Sequence, residues 1–558
     1  MMQLRRKVQS NMKSILLKIC LGLLIVFSTI RISFSQNNDQ GQLHGNFNVD
    51  AQVYKKDIDI GAEVPSEKMG LNSFANLLYT RGNFSAGIRY EAYMNALLGY
   101  DSRYDGVGIP YRFITYRNDN LEVTVGNFYE QFGNGLIFRS YEDKSLGVDN
   151  AMDGVRIKFN PYKGVYLKGF TGKQRSFFDY GPGVVRGIDG ELFVNEIFES
   201  LSTIKSQFVL GGSFVSKYQK DENVIYNLPE NVGAFAGRFS FIHGGFNLSG
   251  EYGYKYADPH PDDPSGQYHY NAKFGDIILL NTSYSAKGLG IYLSLKRVDN
   301  MSFRSDINAT LNDLQVNYIP AISKTHTYSL ASMYPYATQP NGEIGLQAEI
   351  AYNFSKGTRF GGKYGTNLVV NFSRVNSLET KPTANIERYE SDYFAIGDEI
   401  YFQDFNLKIH KKINTKWKAD LSYLNIIYNK DVIQGLAGYG IVYSNIAIVD
   451  VSYKFKPRHS LRMEVQGLFT DQDNGDWSMA LLEYTIAPKW FINASDQYNH
   501  GNDKQKNHYY NIAAGFKKGA NRIQLGYGRQ RAGIVCVGGI CRNVPASTGF
   551  NVSIISSF

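Results

Sequence analysis

Gly549 Phe550 Asn551 Val552 Ser553 Ile554 Ile555 Ser556 Ser557 Phe558 is the stretch whose reading decides the fold. Phe550, Val552, Ile554 and Phe558 fall on one face and Asn551, Ser553 and Ser557 on the other, with Ile555 and Ser556 as exceptions. A period of two with one apolar and one polar face is a strand between two different solvents. The same pattern stands near the other end, where Leu43, Gly45, Phe47, Val49, Ala51 and Val53 alternate with His44, Asn46, Asn48, Asp50 and Gln52.

Working inward from these two strands, hairpins recur with a short turn on one side and a longer polar loop on the other. Short turns read at Arg81–Asn83, Asn118–Asn120, Pro161–Gly164, His243–Gly245, Ala286–Gly288, Pro320–Lys324 and Ser355–Gly357. More follow at Asn414–Lys416, Lys456–His459, Ala487–Lys489 and Lys518–Ala520, with a poorly defined one around Ser200–Lys205. The count predicts an all-β, transmembrane antiparallel β-barrel of about 26 strands, within a range of roughly 24 to 28. Long loops near Asp57–Lys68, Asn134–Asp153, Ala257–Gly275, Val375–Gly397 and Gly533–Pro545 would face the cell exterior and the short turns the periplasm. Lysines crowd the short turns and aspartates the long loops. A soluble sandwich or propeller would need apolar faces packed on each other, which the charged polar faces oppose. Rows such as Leu289, Ile291, Leu293, Leu295 and Leu461, Met463, Val465, Phe469 would face lipid, and Trp417, Trp477 and Trp490 would sit in interfacial aromatic girdles.

Composition agrees. There are 41 Tyr, 35 Phe and 55 Gly but 15 Pro, and the mean hydropathy is below zero, as expected when only every second strand residue is apolar. Residues 1–35 carry Arg5, Arg6, Lys7 and Lys13, an apolar run from Ile19 to Ile30 and Ser33 Phe34 Ser35, the order of a signal peptide cleaved after Ser35, with Met12 as an alternative start. The run is short of the roughly 20 residues of a spanning helix. Residues 36–558 are then one barrel domain, with no room before Leu43 for an N-terminal plug. Without the signal, Lys plus Arg falls from 59 to 53 against 51 acids, and no nucleic-acid partner is expected. Cys536 and Cys541 flank Val537 Gly538 Gly539 Ile540, and a disulfide pinning a loop tip is the expectation in an exported chain.

Alternation also assigns an inward row: Arg89, Glu91, Arg156, Lys158, Lys168, Lys296, Lys408, His410, Lys412, Lys418, Asp420, Lys454, Arg462, Glu464 and Arg522. Two readings fit it, a cation-lined lumen selecting anionic solutes and paired charges stitching the wall. One stretch breaks the hairpin rhythm, Gly126 to Asp143, whose alternation stops after Val125. A loop folded into the lumen would bring Arg139, Glu142 and Asp143 to a constriction; an ordinary outer loop with a bulge fits equally. Tyr334 Pro335 Tyr336 Ala337 Thr338 Gln339 Pro340 Asn341 Gly342 Glu343 reads as a rigid aromatic loop, either docking surface or packing. His260, Asp262, Asp263 and His269 could ligand a metal, but Pro259, Pro261 and Pro264 favour an exposed acidic loop. No Ser or His is marked as activated, so no catalytic residue, cofactor or metal is expected.

The strand closed by Phe558 resembles the C-terminal recognition signal of bacterial outer-membrane barrels, which would make Phe550, Val552, Ile554 and Phe558 the element read by barrel-assembly machinery. The stretches from Gly126 and Tyr334, with Gly361 Gly362 Lys363 Tyr364 Gly365 Thr366 and Cys536 to Arg542, resemble an uncharacterised family of large, porin-like outer-membrane barrels from Bacteroidota. The resemblance implies export, barrel and outer-membrane lipid contact, and brings no activity. The expectation is a porin-like channel or conduit whose lumen is cation-lined and partly occluded by loops; the alternative is a barrel subunit of a larger envelope secretion or surface-assembly complex acting through protein contacts. Deleting Phe558 should lower the amount of heat-modifiable, membrane-integrated protein on a gel more than it alters transport by what does assemble.

Overall fold

The computed structural model describes residues 41–224, 227–259, 272–383 and 389–558. The signal-peptide reading and the His260–His269 loop lie outside the described residues. Twenty-four antiparallel strands, from Gln42–Tyr54 to Ser547–Ser557, form one sheet in which each pairs with its sequence neighbours. The first strand also pairs with the last, Val49 opposite Ile554 and Val53 opposite Phe550, so the sheet is a closed barrel. At the turn end the Gly45 amide donates to the Phe558 carbonyl at 3.0 Å and the Phe558 amide donates to Gly45 at 2.9 Å. A Cβ on Gly45 would stand 2.4 Å from the Phe558 ring, so the aromatic needs glycine opposite it.

The difference from 26 strands has one cause. Pro320–Lys324 does not join two spanning strands: residues 300–341, between the strands Leu289–Asp299 and Gly342–Phe354, run inside the barrel. The remaining eleven turns give 24, including the indistinct one, which is built from the short helices Val194–Ile197 and Glu199–Leu201. Two further expectations are corrected. Val375–Gly397 is mostly strand, because Thr366–Pro382 and Tyr389–Lys412 continue as a long, irregularly paired hairpin beyond the other strands. Trp477 is buried, facing inward among Leu468 and Met479 rather than toward lipid.

Outward rows are apolar all round: Ile291, Leu295, Ile350, Leu421, Val449, Val465, Leu482, Ile492 and Leu525 are all exposed. Aromatic pairs lie at the turn end, Trp417 on Tyr453 at 4.2 Å, Trp490 by Phe516 at 4.6 Å and Phe84 by Tyr116 at 5.0 Å. Others lie toward the loop end, Tyr527 by Phe550 at 4.6 Å and Tyr254 on Phe274 at 5.7 Å.

The inward rows change character along the strand. In Trp417–Asn429, Tyr428, Ile426 and Leu424 are at most 2% exposed, Ser422 and Asp420 are half-buried and Lys418 is exposed. In Ile441–Lys456, Val442, Ser444, Ile446 and Ile448 are buried while Lys454 is exposed. The barrel is filled at its loop end and open at its turn end. Where it is filled, stretches of the inner face such as Leu424, Ile426, Tyr428, Ile446 and Ile448 are apolar, and they alternate around the wall with buried charges such as Arg89, Arg175 and Lys296.

Lys296 shows how charge is held inside. Its ammonium is wholly buried, 2.5 Å from Glu343 and 2.5 Å from the Pro320 carbonyl, and Tyr336 and the Gln339 amide also donate to Glu343. Removing one partner of a buried pair strands the other. Lys296→Met should cost about 3–5 kcal/mol, read as a lower urea midpoint for loss of heat-modifiable migration, and Lys296→Met with Glu343→Leu should recover most of it.

Candidate functional site

Three segments fill the loop end: residues 129–151, 300–341 and 531–546. The first leaves the wall after the strand Leu121–Phe128, whose pairing with the preceding strand ends at Gly126, φ +98, a backbone that needs glycine. Beyond it Phe132, Leu136, Ile137 and Phe138 are completely buried, packed with Met152, Phe170, Val185, Val215 and Ile277 of the inner wall. The second segment crosses the lumen. Met301, Phe303, Val316 and Ile319 join that same cluster, whereas Leu330, Ala331, Tyr334 and Tyr336 pack on Val375, Phe402, Tyr428 and Ile446 of the opposite wall. The Tyr334–Glu343 stretch is thus packing against the wall. Main-chain bonds tie the two segments together, the Arg139 amide donating to Val316 at 2.9 Å and the Tyr318 amide to Gly135 at 2.9 Å.

The third segment is a hairpin, Gly533–Val537 with Ile540–Val544, crossed by the Cys536–Cys541 disulfide. Its tip points into the other segments rather than outward. Tyr318 donates through Oη to the Gly538 carbonyl at 2.8 Å, the Thr338 amide to Gly539 at 3.1 Å, and Asn312 Nδ2 to Cys541 at 2.7 Å. Arg542 Nε donates to the Ser145 carbonyl at 2.7 Å, so the hairpin touches both earlier segments.

Ion pairs fasten the first segment to the wall. Arg89 contacts Glu91 at 2.6 Å, Glu142 at 2.7 Å and also Asp149; Arg175 contacts Glu91 at 2.6 Å and Asp149 at 2.5 Å. Both arginines come from wall strands, and Glu142 and Asp149 from the infolded segment. Burial raises Glu142 above the ordinary carboxylate range despite the pull of Arg89. Because Glu142 then takes up a proton more readily in the folded protein than in the unfolded chain, falling pH favours the filled state through this group rather than releasing it. Burial likewise raises Tyr129, Tyr141 and Tyr318, which stay neutral hydroxyls at ordinary pH.

The other residues singled out in the sequence are spread along the lumen. The Arg139 guanidinium lies between the Tyr141 and Tyr318 rings, 4.6 and 4.1 Å from their centres. Asp143 accepts from the Ser145 amide at 2.9 Å and stays within its own loop. Arg156 pairs with Glu122 at 2.5 Å and Lys158 with Glu130 at 2.8 Å. On the far wall Arg462 bridges Asp450, at 2.9 Å, and Glu464. Lys408 and Lys412 stand over Tyr328 and Tyr364, at 5.7 and 5.0 Å. Most inward cations thus face a carboxylate or a ring. Alternation alone did not single out Glu122, Glu130, Asp149 or Arg175. Glu122 follows from it once the strand Leu121–Phe128 is recognised, but Asp149 lies in irregular chain and carries no sequence signal.

Among solved structures the chain is similar to the P pilus usher (PapC) translocation pore, at 11% identity and a TM-score of 0.45, covering 92% of this chain and 99% of that one. It is also similar to a ferric enterobactin receptor (PfeA) mutant from Pseudomonas aeruginosa, at 11% identity and 0.42, covering 93% and 80%. A BenF-like porin from Pseudomonas fluorescens Pf-5 matches at 12% identity and 0.33, covering 80% and 97%. Likenesses at these scores carry no argument about function. No curated protein sequence matches. A family model does, over residues 12–558, and the chain belongs to that family of unknown function, DUF6029.

Proposed function

We propose that the protein is an outer-membrane β-barrel conduit that rests closed. The apolar outer belt between two aromatic rows supports a bilayer setting, and closure of the sheet removes the edges that lipid would not tolerate. The observation that carries the conduit reading is the one-sided lumen. Three segments linked to each other by hydrogen bonds, the first of them also held to the wall by ion pairs, fill the loop end, while the turn end stays open. The paired state of most inward charges argues against a permanently open, anion-selective pore, and a cation-lined path would be exposed only when the filling moves.

A second reading, a subunit of a larger envelope assembly, is favoured by the long hairpin Thr366–Pro382 and Tyr389–Lys412. At about 3.3 Å per residue its second strand spans roughly 80 Å, and Phe394 and Ile396 near its tip are 87% and 61% exposed.

Replacing residues 533–544 by a short Gly-Ser link should raise conductance in planar bilayers about tenfold over the intact protein. A folded, heat-modifiable variant with unchanged conductance would sink the conduit reading. Stable co-purification of envelope proteins that is lost on Phe394→Asp would support the second.

A further inference from the structure

Beneath the filling, on the inner wall near the turn end, two adjoining cavities of about 400 and 250 Å³ share Arg117 and Glu122. They are built by the strands from Met69–Arg81 to Val165–Ser176, with Phe128 at the end of its strand and Tyr129 of the first infolded segment lining the larger one. One side is aromatic. The Phe113 ring lies where any side chain at Gly87 would stand, 2.3 Å from the position of its Cβ, so the ring rests on the wall and lines the larger cavity. Tyr111 meets it edge-on at 5.9 Å.

The other side is rich in donors. Glu122 accepts from Arg117 at 2.6 Å and from Arg156 at 2.5 Å, one carboxylate between two guanidiniums. Glu130 is shared by Lys158 at 2.8 Å, Arg156 at 3.4 Å and Lys168 at 3.5 Å. Asp189, 3.8 Å from Lys168, is held at 2.7 Å by Arg238, and Asp119 in the turn is the other acid of the lining. Of the residues that line the two cavities themselves, four are cations, Arg117, Arg156, Lys158 and Lys168, and two are acids, Asp119 and Glu122. Two donors remain without a hydrogen-bond acceptor among the described residues: Nδ2 of Asn127, a residue 1% exposed, and Nε of Arg156. Thr115 and Thr124, their hydroxyls 2.9 Å apart, add further polar edges to the larger cavity.

We propose that this double cavity binds an acidic oligosaccharide, one pyranose ring stacked on Phe113 and a sugar carboxylate received by Arg117 and the Lys158–Lys168 side. The aromatic ring supplies a flat apolar surface for the C–H face of a sugar, and Arg117, whose side chain is mostly exposed while it holds Glu122, keeps donor capacity for a carboxylate. A peptide would leave the platform and the surrounding hydroxyls unused. The site is reached from the turn end, so it does not depend on whether the filling of the loop end ever moves.

The test is calorimetry on the full-length detergent-solubilised barrel with tetragalacturonate, maltotetraose and an Asp-rich tetrapeptide as probes. Tetragalacturonate should bind at least about tenfold more tightly than maltotetraose, and less tightly as salt is raised. Phe113→Leu and Arg117→Gln should each weaken it by about tenfold. The Arg117 side chain is mostly exposed at the rim of the strand, so Arg117→Gln decides if Phe113→Leu fails to fold. Absence of tetragalacturonate binding overturns the proposal, as does binding indifferent to both substitutions. Equal affinity for maltotetraose overturns the acidic preference, and tetrapeptide binding that matches tetragalacturonate overturns the saccharide.

Discussion

Everything in this molecule depends on the ring of main-chain hydrogen bonds being complete. In the proposed bilayer setting a strand has no water to satisfy its amides and carbonyls, so the sheet survives only if its first and last members meet. They meet over nine opposed residue pairs, from Asn46 with Ser557 to Tyr54 with Gly549. The paired turn-end bonds of Gly45 and Phe558 and the ring lying on a glycine fix that seam in one register. A one-residue slip would turn Phe550, Val552 and Ile554 inward and Asn551 and Ser553 toward lipid.

A closed sheet of 24 strands encloses more space than its own side chains can fill, and the chain supplies the rest from its loops. The result is a barrel with two kinds of cross-section. At the loop end, wall and infolded segments pack as a soluble core does, with Phe132, Leu136, Phe138, Leu330 and Tyr428 essentially out of reach of water. At the turn end the same strands present Lys418, Asp420 and Lys454 to an open space.

That division explains what the sequence disclosed and what it withheld. Fold class, closure and the outward apolar rows were legible because alternation is local, one residue up and one down, as in Leu461, Met463 and Val465. The departure of residues 129–151 from the hairpin rhythm was legible at Gly126, where alternation stops, but an infolded loop and an outer bulge fitted it equally. The infolding of residues 300–341 did not, because Pro320–Lys324 has the chemistry of any turn and only tertiary contact shows that no strand pair flanks it. The clue that was present is the doubled apolar face of Ile426 to Tyr428 and Ile446 to Val449, where inward and outward residues are both hydrophobic. A wall that is apolar on both sides must have something dry on each. Among site residues, Arg156 and Lys158 could be placed on the inner face by parity, whereas their partner Glu130 lies just past the strand end, where parity no longer applies.

The disulfide hairpin lies between the last two strands, Asn521–Gln530 and Ser547–Ser557, yet it sits inside the ring against the two earlier segments. The strand that follows it is the one that closes the ring on the first strand. One contiguous stretch, residues 521–557, thus supplies both the seam of the wall and the last piece of its contents, so that wall and filling are tied together covalently at the closing strand.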